Sequence, residues 1–129
     1  MVKKLSITIP LKPITKKNSQ RIATRKINGK YVPFILPSKA YVQYEKDSGY
    51  FIRGKGLKIN YPVNVQCVYY MPTRRRVDLT NLMEATHDIL VKYEVLEDDN
   101  CKIIQSVDGS RVEYDKDNPR TEIVITILE

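Results

Sequence analysis

Residues 74–100, RRRVDLTNLMEATHDILVKYEVLEDDN, hold seven of the chain's fifteen acidic residues, in a protein of net charge +7. Three arginines lead into Asp78, a helical stretch carries Asn81, Glu84 and Asp88, and Glu97, Asp98 and Asp99 follow in a row. Hard divalent cations such as Mg²⁺ take oxygen ligands, usually one or two carboxylates with water and phosphate. Carboxylates behind an arginine run therefore suit metal-assisted chemistry on a phosphodiester. On a helical wheel of about 100° per residue, Asn81 at zero puts Asp78 near about +60°, Asp88 near about −20° and Glu84 near about −60°. Leu79, Leu82, Met83, Thr86, Ile89 and Leu90 fill the neighbouring sector, which predicts an amphipathic helix with an acidic edge. His87, the single histidine, falls away from that edge and reads as a helix-surface residue, neither ligand nor general base.

The same residues also fit a plainer description. Asp78 or Thr80 can cap the helix, because short polar side chains accept its orphan N–H groups. Glu84 and Asp88 can be a solvated face, and residues 97–99 an acidic turn.

Composition bounds the choices. A chain of 129 residues with 42% hydrophobic content is one domain, 1–129, with a modest core. Residues 1–30 carry nine Lys or Arg and no acid. A basic segment beside an acidic one fits a phosphodiester enzyme: cations hold the backbone phosphates and carboxylates hold the metal. Cys67 and Cys101 lack metal-ligand spacing. Cys67 alternates with apolar residues and reads as core. There is no signal-peptide pattern and no run near the roughly 20 apolar residues of a membrane span, so a cytoplasmic location without a membrane partner is expected.

The elements that must position the acidic stretch follow from periodicity. Leu5, Ile7 and Ile9 alternate with polar residues in a half-buried strand ended by Pro10. Lys16, Lys17, Asn18 and Arg21 belong to a polar basic loop able to bind phosphate. Asn28-Gly29 predicts a hairpin flanked by Arg25, Lys26 and Lys30, a candidate DNA-contacting arm or a solvated edge. Ser38 caps a helix running to about Ile52, with Tyr41, Tyr44 and Phe51 as core. Val63, Val65, Cys67 and Tyr69 mark the longest, central strand, which delivers Arg74, Arg75 and Arg76 to hold phosphate through their planar forks. A strand follows at 101–107. Asp108-Gly109 then makes either a hairpin turn or a bulge in a strand continuing to Tyr114. Ile123, Ile125 and Ile127 form the last strand. The order predicts an α+β fold, a mixed β-sheet with two main helices packed on it in a single small domain.

The run Arg-Arg-Arg-x-Asp-Leu-x-Asn-Leu, Asp88 ten residues after Asp78, and Asp98-Asp99 resemble the core signature of the RusA family of Holliday junction resolvases. The N-terminal Ile-Thr-Ile-Pro strand followed by Lys17-Asn18-Ser19, and the closing Pro-Arg-Thr-Glu-Ile strand, also have equivalents there, so the resemblance covers nearly the whole chain. It implies a RusA-like fold and a small, homodimeric, Mg²⁺-dependent endonuclease, with Mn²⁺ a possible substitute, that nicks four-way DNA junctions. Such resolvases are often prophage-borne.

Carried over by motif, the catalytic carboxylates are Asp78 and Asp99, with Asp98 beside it; Asn81 and Asp88 also match family positions. Two positions depart. Well-known members have aspartate where this chain has Thr80, and a functional lysine where it has Glu84. Glu84 lies one helical turn from Thr80 and is expected to supply the missing carboxylate, giving a metal set of Asp78, Glu84, Asp88, Asp98 and Asp99 with Thr80 and Asn81 supporting. The vacant lysine role falls to Lys16 or Lys17. The competing expectations are a weakened or inactive junction-binding protein, and a metal nuclease for another substrate such as flaps or RNA.

Overall fold

The computed structural model describes residues 3–16, 21–36 and 38–128. In chain order the elements are β1 (Lys4–Ile9), β2 (Arg21–Ile27), β3 (Lys30–Leu36), α1 (Lys39–Ser48), β4 (Val63–Met71), α2 (Leu79–Lys92), β5 (Ile104–Ser106), β6 (Arg111–Tyr114) and β7 (Arg120–Ile127). β4 is central, as its alternation predicts: β7 pairs antiparallel on one side, and β5 and β6 pair parallel on the other. β1 closes the far edge against β7. The sheet is mixed and one face carries the core. Ile7, Ile9, Val65, Cys67, Tyr69, Ile123 and Ile125 are buried there together with Tyr44 of α1 and Leu82, Ile89 and Leu90 of α2. The α+β fold expected from element order is the one observed.

Two junctions depart from the expected boundaries. α1 begins at the predicted cap, where Ser38 Oγ accepts from the Tyr41 N–H at 3.0 Å, but it ends at Ser48 instead of running to about Ile52. At Gly49 the backbone meets the Tyr93 ring, and a Cβ there would lie 2.5 Å from Tyr93 Cζ. Residues 101–103 form a turn instead of strand, because the Asn100 carbonyl accepts from both Ile103 and Ile104 N–H. The choice at 108–109 also resolves. β5 and β6 run in the same direction along β4, so Gly109 marks an interruption and not a hairpin. Its φ of +87° and the nearby Gln66 side chain exclude a larger residue without strain.

The hairpin at Asn28-Gly29 forms as expected, with φ of +50° and +79°. Among the described residues β2 and β3 pair only with each other and make a separate two-stranded sheet. No helix among the described residues is long and apolar enough to cross a membrane.

Burial pushes the Cys67 thiol up to about 12, whereas Cys101 is exposed. Since the thiolate is the reactive form, a disulfide reagent at about pH 8 is expected to titrate Cys101 promptly and Cys67 only after denaturation. Two fast equivalents on the native protein would mean that β4 is not held in the core.

Candidate active site

β4 ends at Met71, and the chain crosses Thr73–Val77 before α2 begins. The turn into the helix is set by Asp78. Its Oδ1 accepts from the Thr80 N–H at 3.0 Å and from the Thr80 hydroxyl at 2.6 Å. Asp78 is therefore the N-cap of α2, and Thr80 is the side chain that orients its carboxylate. Arg76, Asp78 and Asn81 line one cleft of about 530 Å³ together with Thr15. A second cleft of about 230 Å³ continues the groove past Lys12, Thr73 and Arg75. The groove thus brings Arg75 and Arg76 next to the first carboxylate of the stretch. Arg74 turns elsewhere and stacks on Tyr114 of β6, with its guanidinium 4.3 Å from the ring centroid.

About two turns beyond Asn81 along α2, the basic loop reaches back. Lys16 Nζ donates to Asp88 Oδ2 at 2.7 Å across 72 residues of sequence. That bond holds the ammonium above its ordinary pKa, against desolvation, and Glu45 and Glu84 add in the same direction. Lys16 therefore stays protonated, in the field of the acidic edge. At a partly exposed site the pair is worth at most about 1 kcal/mol, so its importance is placement more than stability. Lys17 and Asn18 lie outside the described residues, as does the Arg21 side chain.

His87 differs from its expected surface role. It is half-buried, and its Nε2 has no hydrogen-bond partner among the described residues. Burial lowers its pKa, while the charges of Asp99 and Asp88 pull it up. The histidine thus lies within electrostatic reach of two carboxylates from different elements. The helical wheel alone does not carry this, because the loop that returns Asp99 to α2 is not part of the wheel. The adjacency of His87 to Asp88 is the one local signal.

Asp98 and Asp99 have separate parts. Asp98 shapes the loop: its Oδ1 accepts from the Asp99 N–H at 2.8 Å and its Oδ2 from the Asn100 amide at 2.9 Å. These bonds, the backbone one first, hold its carboxyl below the ordinary range. Asp99 is exposed beside it. Glu84 is exposed on α2, where it acts on Lys16. Among the described residues no three His, Cys, Asp or Glu side chains converge into a metal-binding group. Asp78 and Asn81 do share a cleft, and a Mg²⁺ ion needs only one or two protein carboxylates, with water and phosphate filling the remaining positions. The donor set is all oxygen and fits that ion.

A family profile described as Endodeoxyribonuclease RusA matches residues 10–126. The chain belongs to the RusA family. The match spans both the basic loop and the acidic stretch, so the groove and its carboxylates fall inside the RusA region. Membership implies a nuclease of the Holliday junction resolvase type. No curated protein matches the chain significantly.

The cap geometry separates two roles of Asp78. Asparagine caps a helix about as well as aspartate, whereas loss of the cap to alanine costs about 0.5–2 kcal/mol. Asp78→Ala is expected to lower the thermal midpoint by several degrees and Asp78→Asn to leave it nearly unchanged, as read by calorimetry. Equal melting of wild type and Asp78→Ala would remove the capping role.

Proposed function

We propose that this chain is a Mg²⁺-dependent endodeoxyribonuclease that resolves four-way Holliday junctions in DNA recombination and repair, with Mn²⁺ as a working substitute. The observation that carries the reading is the cleft where Arg76, Asp78 and Asn81 meet at the start of α2. Asp78 and Asp99 are the first choices to hold the ion. Glu84 extends the set along the helix, Asp88 contributes through Lys16, and Asp98 keeps the loop in shape. When bound, the metal supplies a Lewis acid for the phosphoryl oxygens and a more acidic water.

The chain's own side chains do the rest. Arg76 binds the phosphate through its fork, and Arg75 binds a neighbouring phosphate along the groove. Arg74, braced on Tyr114, adds a cation at the edge. Lys16 occupies the neighbourhood of Glu84 and Asp88 and supplies the cation that RusA proteins otherwise place on the helix. Thr80 holds Asp78 in one orientation. A homodimer would set two such grooves on a two-fold symmetric junction.

A second reading has its own support. Asp78 already spends one oxygen on the cap and on Thr80, and no three-residue acidic group converges among the described residues. Those features favour a protein that binds junctions without cutting them.

The deciding assay incubates the protein with a synthetic four-way junction and a matched linear duplex, with and without Mg²⁺. The expected result is paired nicks in the junction that require the metal and vanish in Asp78→Asn, with Glu84→Gln reduced. Flap and RNA substrates in the same series read out a different nuclease specificity. Tight junction binding without nicking in Mg²⁺ or Mn²⁺ would establish the binding protein instead.

Lys16→Met separates the lysine's roles. Removing one positioned cation from a charge-stabilising site costs about 10²-fold in turnover, whereas loss of one phosphate contact lowers the salt slope of binding by about one. Cleavage is therefore expected to fall about 100-fold with junction affinity within a few-fold. A large loss of affinity with normal single-turnover cleavage would make Lys16 a backbone contact only.

A further inference from the structure

The β2–β3 hairpin presents a surface that the cleavage groove does not use. No described side chain on either strand is buried, and neither strand pairs with the main sheet. The register puts Ile22 opposite Ile35, Thr24 opposite Pro33 and Lys26 opposite Tyr31, so these six share one face. Ile22 is 78% exposed, Ile35 66% and Tyr31 74%. On the opposite face Phe34 is covered by Arg25, whose guanidinium is 4.9 Å from the ring centroid. One face of the hairpin thus exposes Ile22, Ile35 and Tyr31 beside Lys26, and the other exposes Ile27 and Val32 beside Arg25 over Phe34.

Charge identifies the occupant. Residues 21–36 contain Arg21, Arg25, Lys26 and Lys30 and no acidic residue. Apposing the hairpins of two copies would bring like charges together, which opposes a second copy as the natural cover. Nucleic acid with exposed bases offers what both faces need, phosphates for the cations and ring faces for the aromatic. Aromatic side chains flanked by cations are how proteins hold unpaired bases, and apolar wedges hold bases apart where a duplex opens. Tyr31 stands next to the Asn28-Gly29 turn with Lys30 beside it and Lys26 across from it, at the end of the hairpin where a wedge can enter.

We infer that the β2–β3 hairpin is a nucleic-acid wedge in which Tyr31 stacks on an unpaired or unstacked base at the branch point while Arg25, Lys26 and Lys30 hold the adjoining phosphates. The inference rests on the reading of this chain as a branched-DNA protein and adds the element that recognises the opened centre.

The test uses the full chain carrying Asp78→Asn, so that DNA stays intact. Three probes are labelled with 2-aminopurine: a four-way junction at its branch point, a matched linear duplex in a stacked position, and a single-stranded oligonucleotide. Affinity and 2-aminopurine emission are recorded for Tyr31, Tyr31→Ala and Tyr31→Phe. Stacking on one base predicts that Tyr31→Ala loses about tenfold in affinity on the junction and single strand, with duplex binding nearly unchanged. It also predicts that the emission change disappears in Tyr31→Ala and that Tyr31→Phe keeps both.

Because Tyr31 is exposed, its replacement does not threaten folding. An unchanged emission response in Tyr31→Ala would overturn the wedge, and so would an equal loss of affinity on all three probes, which would mean backbone contact alone. A shift in the sedimentation of free protein on Tyr31→Ala would also overturn it and assign the face to a second copy. If the chain shows no preference for the junction yet still perturbs the single strand through Tyr31, the resolvase reading fails and the wedge stands.

Discussion

A buried hydrogen bond between β4 and α2, with the apolar packing around it, sets which way α2 faces. Tyr69, at the inner face of β4, and Thr86, in the middle of α2, join through their hydroxyls at 2.7 Å in the core. Thr86 also donates to the Leu82 carbonyl at 3.1 Å when its proton points that way. Leaving either hydroxyl buried without its partner costs about 1–3 kcal/mol, so the helix cannot rotate about its axis without losing the bond. With Leu82, Ile89 and Leu90 turned toward the sheet, Asp78 and Asn81 are left on the cleft at the start of the helix, Asp88 against Lys16 and Glu84 exposed to solvent. The acidic edge is therefore a consequence of core packing, and its orientation is as firmly held as the core.

Local rules carried the sequence reading far. The alternation at Val63, Val65, Cys67 and Tyr69 marked a strand buried on one face, and that strand is central because both of its edges are paired. Asn28-Gly29 and Ser38 announce a turn and a cap through the backbone chemistry of single residues. What was not legible involves partners distant in sequence. Gly49 must stay without a side chain because Tyr93, more than forty residues away, occupies the space one would take. The direction of β6 depends on its pairing with β4, which no turn signal encodes. The Lys16–Asp88 bond and the approach of Asp99 to His87 are likewise products of the assembled fold. The wheel found the carboxylates because they lie on one helix; it could not find the side chains that meet them from other elements.

The site also illustrates how a substituted residue changes the work of its neighbours. Where family members carry an aspartate, Thr80 donates a hydroxyl hydrogen bond and fixes Asp78 Oδ1. Where they carry a lysine, Glu84 acts electrostatically on a lysine that arrives from the N-terminal loop. The cation in whose field Glu84 lies thus comes from another element, where the resemblance would place it on the helix itself. Such a source is invisible to a reading that follows one helix at a time.

The strand order β1-β7-β4 has a consequence for how the protein is made. β7, which follows the other strands of this sheet in the sequence, lies between two strands made earlier. A nascent chain halted before Arg120 has β1 and β4 with nothing to join them, so β4 has no completed sheet against which to seat α2. Long-range pairing of this kind comes late in folding because loop closure must precede it. The groove that would cut DNA is consequently assembled only when synthesis has passed residue 127, and an unfinished chain carries the acidic sequence without the geometry that arms it.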